Sequence, residues 1–384
     1  MKKFGIGKHE LKKHNRSRIL SLIRFNPLPR VEIAEIMGLT KAAVTVITSE
    51  MLEEGIITET LEYQTKGKCR KLLSITPHYK YALGAIINEN SISLGLSDLS
   101  LTPLADCSME INENTPARTI MSFITAKCSE MIGNFSQNIL GIGIGVAPLM
   151  RGRLGIFLKD GVLDFSGFCE KISSETGITA ICGTSAGLTA SAAGDKDIAK
   201  AFLHLGKQIN LAVVNRDGKV NDFDCYTNLV EKQIVDPNGR IIDGYPRGCV
   251  RAELTVSAVM QSLAEIYSAE KTPFLYEITD GDIAKVNFDR VYDAFRRGET
   301  AVVTFVSKLL TKFGVLINNI ACSYYVQEII LGNICLTNEQ FSLIKRIISK
   351  IVGHDVAARI ILNPHEKSLF LGGCEFIISK VLAD

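Results

Sequence analysis

The sequence predicts an α/β protein: a small basic winged helix-turn-helix followed by a larger body of two lobes. Three observations carry that expectation. The first 75 residues read as three short helices and a hairpin, the charge is divided between head and body, and beyond residue 80 strand hairpins alternate with helical runs. At 384 residues the chain is long enough for two or three domains, each able to bury a core.

The charge division is the simplest of the three. Residues 1–80 hold 15 Lys and Arg against 8 Asp and Glu, while the remaining residues hold 28 against 33. A basic head on an acidic body points to an anionic partner for the head alone. Nucleic acid fits, because neutralising its phosphates releases counterions. The longest apolar run, Ile139–Met150, includes Gly141, Gly143 and Gly145 and is too short to span a bilayer. The basic N-terminus has no apolar stretch behind it, so a soluble cytoplasmic protein without a membrane partner is expected. The ten cysteines contain no Cys-x-x-Cys pair. That argues against a disulfide framework and a self-contained zinc module, and treats most of them as small buried hydrophobes.

In the head, a helical pattern runs from about Leu11 to Phe25, with Ile19, Leu20 and Ile23 on one face. Asn26-Pro27 ends it, since a proline forces the residue before it out of the helical region. A second helix reads from Arg30 to Met37, and Gly38-Leu39 supplies a turn in which glycine allows positive φ. Thr40 can cap a third helix running to about Glu53. Val44, Ile47 and Met51 fall together on its inner face, leaving Ala42, Thr45, Val46 and Ser49 outward. That outer face is small and uncharged, so it can approach base edges, with Lys41 placed for a phosphate near the helix N-terminus. Two strand-like runs, Ile56–Glu62 and Cys69–Ile75, form a wing whose Lys66, Lys68 and Arg70 supply positive charge for phosphates or a minor groove. Arg16 in the first helix completes the candidate DNA contacts. The domain boundary falls after residue 75.

In the body the strand candidates are Ala82–Ile87, Ile92–Ser97, Leu140–Val146, Ile178–Ile181 and Ile209–Val214. Helix candidates are Ala117–Ile132, Leu254–Ala269, Ile283–Arg297, Ala301–Leu316 and Asn338–Ile351.

The run Asn15-Arg16-Ser17-Arg18-Ile19-Leu20 and the Gly67-Lys68-Cys69-Arg70-Lys71 wing resemble the opening of repressors of the ROK family (repressors, uncharacterised reading frames and sugar kinases), the NagC/XylR type. In the body, Gly141-Ile142-Gly143-Ile144-Gly145-Val146-Ala147-Pro148, Val235-Asp236-Pro237-Asn238-Gly239, Arg247-Gly248-Cys249 and the helix end Val291–Glu299 resemble that family's motifs in order. The resemblance implies an actin-like, ribonuclease-H-type body of two lobes around a cleft. The first lobe would comprise 80–195 completed by 356–384, and the second, dimerising lobe 196–355. It also implies a homodimer or higher homo-oligomer on a double-stranded operator, repressing carbohydrate-metabolism genes in response to a sugar or sugar-phosphate effector.

The alternative within the family is an ATP-dependent sugar kinase, and its chemistry is missing from this chain. Ile86 stands at the position of the aspartate that contacts phosphate and metal. One glycine, Gly206, remains of the phosphate loop, in Leu205-Gly206-Lys207-Gln208-Ile209-Asn210-Leu211. Gly183-Thr184-Ser185-Ala186 replaces the Asn-Asp pair whose aspartate would be the general base. Lys232, Ile242, Gly244 and Cys249 occupy the four zinc-ligand positions, and one thiol cannot hold a tetrahedral site. Leu229 and Arg251 stand where sugar-binding glutamates are expected. The reading is therefore a non-enzyme with no zinc or ATP cofactor, no catalytic residues and no metal site. Thr184, Ser185, Lys232 and Arg251 are its candidate ligand contacts, the cations suiting an acidic or phosphorylated sugar. A body that only dimerises, without any effector, is the remaining alternative.

Overall fold

In the computed structural model, residues 8–383 are described apart from 25, 64–68, 136–137, 160–161, 194–197, 217, 219 and 222–228. The chain divides into two compact units: Met1–Ala192 with Lys367–Asp384, and Ala193–Glu366.

The first unit opens with α1 (Lys8–Ile23), α2 (Arg30–Met37) and α3 (Lys41–Glu53), then the antiparallel pair β1 (Ile57–Tyr63) and β2 (Cys69–Ile75). The helix start signals act locally, so these elements lie where the sequence places them. Buried Ile19, Leu20 and Ile23 of α1 meet Ile33 and Ala34 of α2, Val44, Ile47 and Met51 of α3, and Leu73 of the wing. The cluster does not stop at the head. It runs on into Phe370, Leu371, Cys374, Ile377 and Ile378 near the end of the chain.

The rest of the unit is β3 (Tyr81–Ile87), β4 (Ser91–Asp98), β5 (Pro103–Glu110), α4 (Ala117–Phe135), β6 (Ile139–Val146), α5 (Pro148–Arg151), β7 (Phe157–Lys159), β8 (Val162–Asp164), α6 (Ser166–Thr176), β9 (Ala180–Thr184) and α7 (Ser185–Ala192). The main sheet has the order β5-β4-β3-β6-β9, with β3–β5 antiparallel and β6 and β9 parallel to β3. Alternation along β3 sends Leu83, Ala85 and Ile87 into the core under α4. The opposite face receives the last helix of the chain, Leu371–Ala383, and it does so on glycine. A Cβ on Gly84 would lie 1.9 Å from the Phe370 carbonyl oxygen, and one on Gly143 would lie 2.0 Å from that of Gly373.

The second unit holds β10 (Lys200–His204), β11 (Asn210–Val214), β12 (Val220–Asn221), α8 (Val250–Glu253), α9 (Val256–Ala264), α10 (Pro273–Ile278), α11 (Phe288–Arg296), α12 (Thr300–Tyr324), β13 (Glu328–Gly332), α13 (Asn338–Val352), α14 (His354–Ala358) and β14 (Ile360–Leu362); the helix Leu371–Ala383, in the first unit, is α15. Its sheet order is β12-β11-β10-β13-β14, with β10–β12 antiparallel and β13 and β14 parallel to β10. Both sheets therefore repeat one strand order and one pattern of directions. That repetition is the ribonuclease-H-type, actin-like body the family resemblance implied.

Several body elements differ from expectation. β5, β10, β13 and β14 were not read as strands, and the expected helix Leu254–Ala269 is shorter at both ends, α9 starting after Thr255 and ending at Ala264, with the separate short helix α8 before it. Ile283–Arg297 is also two elements, because Asn287 caps α11 by accepting from the Arg290 N–H at 3.0 Å. The Ala301–Leu316 expectation fell short: α12 runs to Tyr324 and stops at Tyr325, whose φ is +50°. By length and composition α12 could cross a bilayer, yet Leu310, Phe313, Leu316, Ile317 and Ile320 lie in the core of the second unit.

The cysteines depart from expectation in part. Cys169 of α6 and Cys182 of β9 face one another, with Cα atoms 6.5 Å apart. Of the other described cysteines, Cys128, Cys249 and Cys374 are buried as expected, but Cys69, Cys322 and Cys335 are exposed. Spacing in sequence carried no sign of either fact, since α6 and β9 meet only through the fold.

Candidate nucleic-acid interface

The Gly38 turn has φ +66°, and the Leu39 N–H reaches back to the Ala34 carbonyl at 3.0 Å, closing α2. Two residues on, the Thr40 hydroxyl accepts from the Ala43 N–H at 3.2 Å and starts α3. Val44, Ile47, Thr48 and Met51 face inward. Lys41, Ala42, Thr45 and Val46 are exposed and Ser49 is half-buried, so all five helix residues chosen from the sequence share one outward face. Val46 is 60% exposed, an apolar side chain left to water on a face with no charge beyond Lys41. The Thr45 hydroxyl donates to the Lys41 carbonyl at 2.8 Å, which leaves its methyl outward and its oxygen free to accept only.

Thr48 was not singled out in the sequence. Its hydroxyl donates to the Val44 carbonyl at 2.9 Å and accepts from Arg30 Nε at 3.0 Å. Arg30 also pairs with Glu59 of β1, tying both helices and the wing into one frame.

The predicted cations behave differently from one another. Arg16 makes a two-pronged pair with Glu54; this side-chain hydrogen bond raises the guanidinium pKa and lowers that of the carboxyl. Arg70 pairs with Glu32 of α2. Both are thus held inside the head, and contact with a phosphate would have to share or break those pairs. Lys66 and Lys68 lie outside the described residues.

The ligand candidates divide between the two units. Thr184 and Ser185 are buried where β9 passes into α7, and the Thr184 hydroxyl accepts from the Gly187 N–H at 3.2 Å as a cap. At the same end of β3, separated from β9 by β6, buried Asn88 has a side-chain oxygen with no partner among the described residues. Ile86, at the expected aspartate position, is only 1% exposed, packed in the sheet where a carboxylate would be stranded.

In the second unit, Arg251 meets an acid the sequence reading overlooked. Glu231 is fully buried, accepts the Ile209 N–H at 3.0 Å and pairs with Arg251 at 3.2 Å. Acids were expected at positions 229 and 251, whereas the fold supplies one between them in chain order, at 231. Around this pair the side-chain oxygens of Gln208, Asn210 and Gln233 are buried without partners among the described residues. Lys232 is exposed.

The loop from Ile234 to Cys249 is closed by backbone bonds, the Val235 and Asp236 N–H groups both donating to the Gly248 carbonyl at 2.9 and 3.0 Å. Of the family's zinc positions only buried Cys249 carries a metal-binding group, so the residues present do not fit zinc. The turn Leu205–Ile209, with its single glycine, likewise does not fit a nucleotide phosphate loop.

His204, at the end of β10, is a consequence of the same buried sheet. Burial pushes its imidazole down to about 4 from the ordinary 6.5. The unfolded chain takes up a proton below pH 6.5 that the folded one refuses. Stability is therefore intact above pH 6.5 and is lost as the pH falls toward 4, by roughly 3 kcal/mol across the window. Urea unfolding of wild type and His204→Gln between pH 7.5 and 4.5 checks this. Parallel slopes for the two proteins would contradict it.

A winged helix-turn-helix joined to a duplicated ribonuclease-H-type body has counterparts among solved structures. A solved ROK family transcriptional regulator described as a homolog of E. coli MLC protein superposes with a TM-score of 0.72, covering 97% of each chain at 17% identity. A ROK family glucokinase from Streptomyces griseus matches at 0.58, covering 77% of this chain and 98% of its own at 15% identity, a likeness of fold alone. In sequence, the xylose repressor of Bacillus spizizenii is 22% identical over 343 residues, 84% of this chain and 83% of that protein. The Escherichia coli K12 DNA-binding transcriptional dual regulator NagC is 31% identical over 144 residues, 37% of this chain and 35% of that one. An uncharacterised protein of Sinorhizobium fredii is 28% identical over 137 residues; this match and the NagC match each take in about a third of the relative's length, 35%. No family model matches the chain. The chain thus resembles a ROK family regulator in fold along nearly its whole length, and a xylose repressor in sequence over most of it.

Proposed function

We propose that the chain is a dimeric DNA-binding transcriptional regulator, a repressor of carbohydrate-metabolism genes released by a sugar or sugar-derived ligand. The outward face of α3 carries this reading: five residues, Lys41, Ala42, Thr45, Val46 and Ser49, stand clear of the core on a helix fixed by the Gly38 turn and the Thr40 cap. Few of them hydrogen-bond to bases, so thymine methyl contacts by Ala42, Val46 and the Thr45 methyl, together with DNA shape, supply much of the readout.

Selection of bound DNA from a random pool, repeated at several salt concentrations, tests this. A paired motif whose affinity falls steeply with salt supports both DNA binding and dimer; salt-insensitive or absent binding sinks the proposal. Lys41→Ala is expected to weaken all sequences alike and to reduce the salt slope by about one. Thr45→Ala or Ser49→Ala is expected to change the selected motif by about 1–3 kcal/mol at one position. If Lys41→Ala shifted the motif and the other two did not, this division of roles would be wrong.

The effector reading rests on buried polar atoms without partners among the described residues: Asn88 in one unit, and Gln208, Asn210 and Gln233 beside Glu231–Arg251 in the other. Polyhydroxylated ligands suit such orphan acceptors. Because Glu231 already matches Arg251, Lys232 is the cation left for an acidic or phosphorylated sugar. A panel of sugars and sugar phosphates in thermal-shift assays checks this, a ligand specific to the native state raising the midpoint. No shift across the panel would favour a body that serves only to dimerise. The absent general base and buried Ile86 support a non-enzyme.

A further inference from the structure

A groove in the second unit belongs neither to the DNA-binding face nor to the residues around Arg251. It lies between the loop carrying Asp236 and Arg240, the end of α9 and the first half of α12, and encloses about 690 Å³. That falls within the range of roughly 300–1,000 Å³ usual for small-molecule sites. Neither Lys232 nor Arg251 lines it.

Its floor is already fixed. Lys312 sits 3.2 Å from Asp236 and 2.5 Å from Glu253, whose carboxylate is buried and also accepts the Arg240 N–H at 2.6 Å. Arg240 donates in turn to the Ala258 carbonyl at 2.9 Å. These four charges satisfy one another, so they shape the cavity without offering a free charge to a ligand. One wall is apolar, with Phe305 and Leu309 spaced four residues apart on α12 and Ile266 opposite. Also lining it are Lys271 and Lys308, both exposed and making no ion pair among the described residues, against one acid, Glu265, likewise unpaired among them. The unspent charge of the lining is therefore positive, alongside an apolar wall.

We propose that this groove is a second ligand site, taking a small organic anion with an apolar body, and that Lys271 and Lys308 hold the anionic group while Phe305 and Leu309 receive the body. Lysine suits a carboxylate, sulfonate or phosphate as a point charge on a flexible stem. Such a site would give the protein a chemical input separate from the sugar-type effector proposed above.

The probe is 8-anilinonaphthalene-1-sulfonate, an apolar anion of the right size, titrated into the full chain by fluorescence and calorimetry. Saturable binding of one equivalent is expected. Lys271→Glu/Lys308→Glu should weaken it at least about tenfold, and so should the groove-filling Thr304→Trp. N-phenyl-1-naphthylamine has the same rings without the sulfonate and should bind at least about tenfold more weakly. Circular dichroism confirms that each variant is folded, and Lys271→Met/Lys308→Met serves if the charge reversal is not. Binding unchanged in the variants would place the probe elsewhere and overturn the assignment. Equal binding of the neutral amine would overturn the anion, and concentration-dependent self-association lost in Thr304→Trp would show instead that a second copy of the chain fills the groove.

Discussion

Gly143→Ala is expected to cost roughly 4 kcal/mol or more of unfolding free energy and to leave most of the protein insoluble. Gly143 is central in β6, and its new Cβ would fall 2.0 Å from the Gly373 carbonyl oxygen of α15. That contact is backbone on backbone, so no rotamer change relieves it. Gly373 meets the same problem from the other side, its own Cβ falling 2.2 Å from the Gly143 carbonyl oxygen. The last helix must then lift off the sheet, and the loss includes the apolar surface of Phe370, Leu371, Ile377 and Ile378, each worth roughly 1.5–3 kcal/mol when fully buried. Gly133→Ala is the control. It lies in α4 with nothing within 4 Å of the added carbon, so removing the helix-interior glycine should leave stability unchanged or raise it by up to about 1 kcal/mol. Urea denaturation of both variants decides the matter. Equal midpoints for Gly143→Ala and wild type would show that α15 does not rest on the sheet as described.

The glycines of β6 show what the sequence made legible and what it did not. Gly141-Ile142-Gly143-Ile144-Gly145 was readable as a buried strand, but the reason for glycine lies more than 200 residues away, in a helix that begins Leu371-Gly372-Gly373 and gives no ordinary helix signal. The head was legible because its devices are local. Gly38, Thr40 and the inward set Val44, Ile47 and Met51 fall within fourteen positions of one another, and the structure uses them as read. β10, β13 and β14 were missed for a physical reason. Strands covered on both faces lose the polar alternation that marks a half-exposed strand, and five or fewer apolar residues resemble any core segment. Charge partners were the least legible of all. Arg16 and Arg70 looked free in a basic segment, yet Glu54 and Glu32, 38 positions away in each case, claim them. Glu231 was not legible because it stands two residues beyond the motif position, Leu229, and its partner Arg251 is 20 positions away.

Glu375→Gln is the second large effect, expected to cost roughly 3–5 kcal/mol because it strands Arg24 as a buried, unpaired charge. Arg24 directly follows α1 and Glu375 lies on α15, 351 positions later, with side chains only 2% and 6% exposed. Glu375 also accepts the Ser379 hydroxyl at 2.9 Å, so its carboxylate is held from both sides. A pair this deep is screened little by salt, and the loss should be similar at low and high ionic strength. The double variant Arg24→Met/Glu375→Leu removes both charges and keeps the volume, so it should recover most of the loss or exceed wild type. A cost below about 1 kcal/mol for Glu375→Gln would mean the pair is exposed in solution and the seam between head and last helix is open. The seam also fixes how the first unit unfolds. With Ile19, Val44, Leu73 and Ile377 in one continuous core, the head has no boundary at which to melt alone. Wild type should therefore lose its head and the sheet of the first unit in one transition, whether followed by a probe on α3 or by one on β6. The head separates as an early, independent transition only where the seam is broken, as in Glu375→Gln, and in that variant operator affinity should fall along with it.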